Sequence, residues 1–132
     1  MKKIILPALM VALAIPTVAA EAQRQRQGAW QTIGQKKVAF GVETDSFKAR
    51  GNRLHRQVRI CAFRDDLKLL DADVHFANGG EQDILGPKRS LRAGTCTAPM
   101  DLRGNRRDIV KVKLAYSRFN TGRAPVVSVQ AR

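Results

Sequence analysis

The sequence predicts an all-β protein: a single antiparallel β-sandwich or jelly roll of about seven to nine strands after a cleaved signal peptide. Two observations predict it. Apolar residues recur at every second position, the period of a strand with one face on a core and one in water, and helical spacing is not sustained anywhere past residue 22. Gly, Asn and Pro pairs that favour turns separate the alternating runs at intervals of about 8–15 residues. The length of 132 residues and an apolar content of 44% fit one domain with a packed core and leave no room for a large multidomain enzyme.

Residues 1–22 read as the signal peptide. Lys2 and Lys3 give the positive start, residues 4–15 the apolar stretch, and Pro16 breaks any helix before the small residues Val18-Ala19-Ala20 and Ala20-Glu21-Ala22. Cleavage is expected after Ala20 or Ala22. The 17 residues from 4 to 20 carry two prolines and fall short of the roughly 20 residues of a transmembrane helix. No later segment is apolar enough to span a bilayer. The expected location is therefore periplasmic or secreted. Residues 23–28 (QRQRQG) form a polar leader, and the sandwich domain covers residues 29–132. In an oxidising compartment Cys61 and Cys96 are expected to pair as one disulfide.

The strands follow in order. Val38, Phe40 and Val42 alternate with Lys37, Ala39, Gly41 and Glu43. Val58, Ile60 and Ala62 alternate with Gln57, Arg59 and Cys61. Ala72, Val74 and Phe76 alternate with Asp73, His75 and Ala77. Asn78-Gly79-Gly80 then predicts a hairpin with a type I′ turn leading into a strand over residues 82–85. Val110, Val112, Leu114 and Tyr116 point inward, with Lys111, Lys113 and Ala115 outward; Val127 and Val129 oppose Ser128 and Gln130. Gly51-Asn52, Gly86-Pro87, Arg103-Gly104-Asn105 and Thr121-Gly122 are turns. Short helical turns are placed at residues 47–50 and 65–70. Phe40, Phe76, Tyr116 and Trp30 fall on apolar faces, leaving Phe47, Phe63 and Phe119 for exposure.

Catalytic signals are weak. His55 and His75 sit in no metal-ligand spacing, and there is no Gly-x-Ser-x-Gly elbow or phosphate-cradling glycine loop. His75 shares a strand face with Asp73, so a small hydrolase built on His75 and nearby acids is one alternative reading. The acids Asp65, Asp66, Asp71, Asp73, Glu81 and Asp83 show no spacing that fixes a glycosidase pair. Asp71, Asp73, Glu81 and Asp83 flank the predicted hairpin as oxygen ligands of Ca²⁺ would, but blunting of a sheet edge by charge is the preferred reading. No metal and no cofactor is assigned.

Charge carries the strongest functional hint. With 24 Lys and Arg against 11 Asp and Glu, the chain has a formal charge of +13. Loss of residues 1–22 removes Lys2, Lys3 and Glu21 and lowers it to +12. Such a field attracts anions. Arg103, Arg106 and Arg107 crowd one turn, Lys111 and Lys113 follow on the outward face of the next strand, and Lys88, Arg89 and Arg92 form a second cluster. These residues are the candidate anion site of a non-catalytic protein. Its partner would be an acidic envelope component: acidic polysaccharide, lipopolysaccharide or an anionic lipid surface. Nucleic acid fits the charge but neither the compartment nor the scarcity of stacking aromatics. Lysozyme inhibition is disfavoured because two basic proteins repel. A protein-interaction module using a sheet edge or loop is the other alternative.

Trp30-Gln31-Thr32-Ile33-Gly34, residues 58–63 containing Cys61, Val74-His75-Phe76-Ala77-Asn78-Gly79 and residues 101–112 together resemble the small, uncharacterised YaaI-like periplasmic family. The resemblance implies a secreted β-rich domain and brings no activity with it. Residues 106–116, an Arg before an alternating strand that ends in an aromatic, are similar to the late strand of discoidin-type, sugar-binding jelly rolls, a likeness of fold.

Overall fold

The computed structural model describes residues 29–39, 41–49, 53–119 and 123–132. The expected signal peptide and leader, Phe40 and the turns expected at Gly51-Asn52 and Thr121-Gly122 lie outside the described residues.

Eleven strands and no helix are found among the described residues: β1 (Gln31–Lys37), β2 (Val42–Lys48), β3 (Leu54–His55), β4 (Gln57–Phe63), β5 (Leu67–Phe76), β6 (Glu81–Asp83), β7 (Arg89–Leu91), β8 (Thr95–Cys96), β9 (Met100–Asp101), β10 (Arg107–Arg118) and β11 (Val126–Ala131). They form two antiparallel sheets packed face to face. The first runs β1-β11-β4-β8, with β9 also on β4; the second runs β2-β10-β5-β6, with β3 on β10 and β7 on β5. This is an all-β sandwich, as the alternation predicts.

The inward residues are largely those the period marks. Val58, Ile60, Ala62, Ala72, Val74, Val112, Leu114, Tyr116, Val127 and Val129 are fully buried between the sheets, with Phe76 nearly so. Strand β4 is covered on its outer side as well. Cys61 is buried there opposite Ser128 of β11 and forms a disulfide with Cys96, its cross-strand partner on β8. That bond closes 35 residues of chain and staples the shortest edge of the first sheet. It is compatible with an oxidising, secreted or periplasmic location.

Several local expectations are corrected. The alternation over residues 37–43 is not one strand. β1 ends at Lys37 and β2 starts at Val42, and between them Gly41 turns the chain with a φ of 81°. Val38 is buried beside this turn, while Val42 is exposed. No helical turn is found at the described residues of 47–50 and 65–70: Phe47 and Lys48 end β2, Leu67–Leu70 begin β5, and Ala49, Asp65 and Asp66 lie in the adjoining connections. Phe47 is buried rather than exposed because its ring packs against the bare backbone of Gly34. Val110 faces out, 45% exposed, because β10 bulges between Ile109 and Lys111 and gives the inward place to Ile109.

The hairpin at residues 77–80 is present, with β6 over Glu81–Asp83. Its turn is not type I′, since Asn78 does not take a positive φ. Gly79 N–H donates to Phe76 C=O and Gly79 alone of the turn has a positive φ (88°), the arrangement of a type I turn closed by a glycine bulge. Ile84 and Leu85 lie beyond the strand and are buried in the core.

The registers give the sandwich two ends. At one end lie the connections β1–β2, β4–β5, β7–β8 and β10–β11. At the other lie residue 56 between β3 and β4, the β5–β6 hairpin and the β9–β10 turn.

Candidate anion-binding cleft

The β9–β10 turn is built by consecutive positive φ values, Gly104 at 82° and Asn105 at 72°. Asn tolerates this region better than most non-glycine residues, which suits it to the place. Arg107 then leaves the turn with its guanidinium 3.8 Å above the Phe76 ring, donating to Asn78 Oδ1 (3.1 Å) and to the Arg103 carbonyl (3.0 Å). Gln82 of β6 clamps the same turn from the other side: its Nε2 donates to Asp101 C=O, and its Oε1 accepts from Arg103 N–H. The turn is thereby fixed to the hairpin, and Arg106 is left displayed.

Arg106 faces a cleft of about 1000 Å³ that Arg56, Arg132 and Leu102 also line. The main chain explains the meeting. Arg56 and Gln57 N–H donate to the main-chain oxygen of Arg132, Arg132 N–H to Gln57 C=O, and Leu102 N–H to Arg56 C=O. Three segments remote in sequence thus close one wall. Side chains continue the order: Arg132 Nε donates to Gln57 Oε1, and Gln57 Nε2 donates to Asp101 Oδ1, each at 2.8 Å. Asp101 is the one acidic residue lining the cleft, and among the described residues no side-chain carboxylate forms an ion pair with Arg56, Arg106 or Arg132.

Beside the cleft, Trp30 is held between two guanidinium groups, those of Arg59 and Arg132, each 4.4 Å from its ring. The expectation that Trp30 lies on an apolar face is corrected to this half-buried cationic stack. Burial first, and then the Arg132 charge, push the Arg59 pKa down. Unpaired cations crowd one another here, and a bound anion would relieve that repulsion. A smaller cleft of about 360 Å³ at the same end is lined by Gln31, Arg53 and His55. Burial and then Arg53 hold the pKa of His55 below its ordinary value.

The eight basic residues expected to act together are dispersed. Lys111 and Lys113 do share the outer face of β10, but His75 lies beside Lys111 and Asp73 beside Lys113 on β5. Asp71, Asp73 and Asp83 bring carboxylate oxygens within 4.8 Å of one another on that face. Burial, then Asp71, then Asp83 and Glu81 raise the pKa of Asp73. The positive field of the two lysines is offset where it was expected to be strongest. Arg107 is occupied by its stack and hydrogen bonds. Arg89 donates to Leu85 C=O on the β5 edge, and β7 pairs with the start of β5, so Lys88, Arg89 and Arg92 lie away from the Arg103–Arg107 turn. Of the eight, Arg106 alone lines the cleft; Arg103 is exposed on the turn next to it.

His75 Nδ1 lies 3.1 Å from Glu81 Oε1, so its partner is Glu81 and not Asp73. His75 lines neither cleft. No helix among the described residues is long and apolar enough to cross a membrane. No curated protein and no solved structure matches the chain. A family model does match, over residues 6–130, and by that match the chain belongs to the DUF2541 family, a domain of unknown function.

Proposed function

We propose that this protein is a non-catalytic, extracytoplasmic binder of an acidic cell-envelope component, an acidic polysaccharide or lipopolysaccharide, held through phosphate or carboxylate groups in the cleft of Arg56, Arg106 and Arg132. The observation that carries the reading is that Arg56, Arg106 and Arg132 line one cleft whose single acidic side chain, Asp101, accepts from Gln57, and that among the described residues no side-chain carboxylate forms an ion pair with the three arginines. Guanidinium forks match carboxylate and phosphate oxygens two at a time, and that of Arg132 is oriented before any ligand arrives by its hydrogen bond to Gln57 and its stack on Trp30. The charge of +13 adds long-range attraction for polyanions. The hydrolase alternative is weakened because the His75–Glu81 pair lies apart from both clefts.

The test is retention on immobilised lipopolysaccharide across a salt gradient. The protein should be retained at low salt and released as salt rises, because counterions compete for the same contacts. Arg106→Glu should elute much earlier than the parent, and Lys111→Glu/Lys113→Glu close to it. Early elution of the lysine variant alone would return the site to the β10 face. Elution of all three at low salt would remove the anion-binding reading.

A further inference from the structure

The opposite end of the sandwich has a different chemistry. Among the described residues five large apolar side chains are exposed, and three of them, Val42 (69%), Phe63 (38%) and Phe119 (52%), gather there. The registers place them. Phe63 ends β4 opposite Val126, Val42 starts β2 opposite Ser117, and Phe119 follows Arg118, which lies opposite Leu67. The two phenylalanines therefore stand at the tips of different sheets, and sheets packed face to face lie about 10 Å apart.

Next to Phe63 the chain adopts a strained conformation. Arg64 has a φ of 72°, and Asp65 N–H donates to Phe63 C=O across it (2.9 Å), a tight three-residue turn that few non-glycine residues occupy. Lys37 at the end of β1 and Arg64, Arg92 and Arg123 in the connections of this end are all exposed. The two carboxylates among them are engaged by main chain: Asp65 Oδ1 accepts from Asp66 N–H, and Asp66 Oδ1 from Ala93 N–H.

We propose that this end docks on an anionic lipid bilayer, with Phe63 and Phe119 entering the interface and Arg64, Arg92, Arg123 and Lys37 meeting lipid phosphates. Exposed aromatic tips ringed by cations suit such a surface, which pairs shallow apolar burial with attraction to anionic headgroups. A bilayer also conforms to tips carried on two separate sheets, where a rigid protein partner would need a matching double socket. A glycine would relieve the strain at position 64; arginine keeps a cation at the tip. β10 spans 12 residues from one end to the other, so the arginine cleft lies roughly 40 Å away and faces outward from a docked membrane. The proposal goes beyond the cleft reading and does not rest on it.

The test is cosedimentation of the chain, as recovered after export, with vesicles of phosphatidylcholine alone or mixed with phosphatidylglycerol. The parent should bind the anionic vesicles and not the neutral ones. Phe63→Ser/Phe119→Ser should weaken binding by about tenfold or more, since each ring gives up apolar burial in the interface. Arg64→Gly should also weaken binding while raising the melting temperature, a combination that misfolding does not produce. Val110→Ser, which removes an exposed apolar side chain of β10 away from this end, should bind vesicles as the parent does. Equal binding to neutral vesicles, no binding at all, parent-like binding by either the double phenylalanine variant or Arg64→Gly, or loss in Val110→Ser would each overturn the proposal.

Discussion

A Cβ atom added at Gly34 would lie 2.7 Å from Cδ1 and 3.2 Å from Cβ of Phe47, and the second of these atoms sits on the β2 backbone and yields little. The glycine lets the two edge strands approach and lets the ring close the core at the open side of the sandwich. Gly34→Ala should therefore lower stability by about 1–3 kcal/mol, the usual cost of overpacking, read as a shift of the urea midpoint. An unchanged midpoint would mean that β1 moves aside freely. The sequence left Phe47 for exposure because it falls on none of the alternating apolar faces, and nothing local reveals that a glycine 13 positions earlier faces it. Arg107 shows the same limit from the other direction. It reads as part of a cationic run with Arg103 and Arg106, yet only the fold supplies the Phe76 ring and the Asn78 amide that engage it.

Strands β1 and β2 belong to different sheets, and a polar seam joins them. Lys36 Nζ donates to Asp45 Oδ1 (2.8 Å) and lies 3.7 Å from Glu43 Oε2; the Tyr116 hydroxyl of β10 donates to Asp45 Oδ2. Burial, reinforced by Asp45, raises the Tyr116 pKa, so the phenol stays a donor at ordinary pH. The Lys36 and Tyr116 hydrogen bonds hold the Asp45 carboxyl below its ordinary value of 3.8. The folded state therefore takes up this proton less readily than the unfolded chain. Its stabilisation is complete above the unfolded value and is lost as pH falls through it toward the folded one. Wild-type stability should fall more steeply than that of Asp45→Asn between pH about 5 and 2, and the variant should be the less stable protein at neutral pH. Parallel acid-unfolding curves would contradict this account. At this scale the sequence was legible wherever one face stays buried without interruption, as in β4 and β11. It misled where the pleat slips. In β5 the partner register jumps from Leu69 to Asp71, so the apolar positions Leu67, Leu69, Leu70 and Ala72 lose strict alternation and mimic a helical turn. A slip of one residue at Val110 exchanges the faces in the same way.

Across the whole molecule, composition shows an excess of positive charge but not where it concentrates. The run of residues 103–113 looked like one patch, and the fold divides it among a structural arginine, a cleft arginine and two lysines beside carboxylates. Arg56 and Arg132 carried no signal of their own. They are 76 positions apart and meet Arg106 only because the ladder near Gln57 sets β4 between β11 and β9. The sandwich that results has a cationic cleft at one end and aromatic tips at the other. Its central functional claim is the cleft, and a nuclear magnetic resonance titration of the isotopically labelled protein with lipopolysaccharide-derived phosphorylated oligosaccharide tests it most directly. The account predicts saturable shifts at the Arg56, Leu102, Arg106 and Arg132 amides and at the Trp30 indole, with Lys111 and Lys113 unmoved. Shifts confined to Lys111, Lys113 and their β5 neighbours, or no shift at low salt, would contradict it.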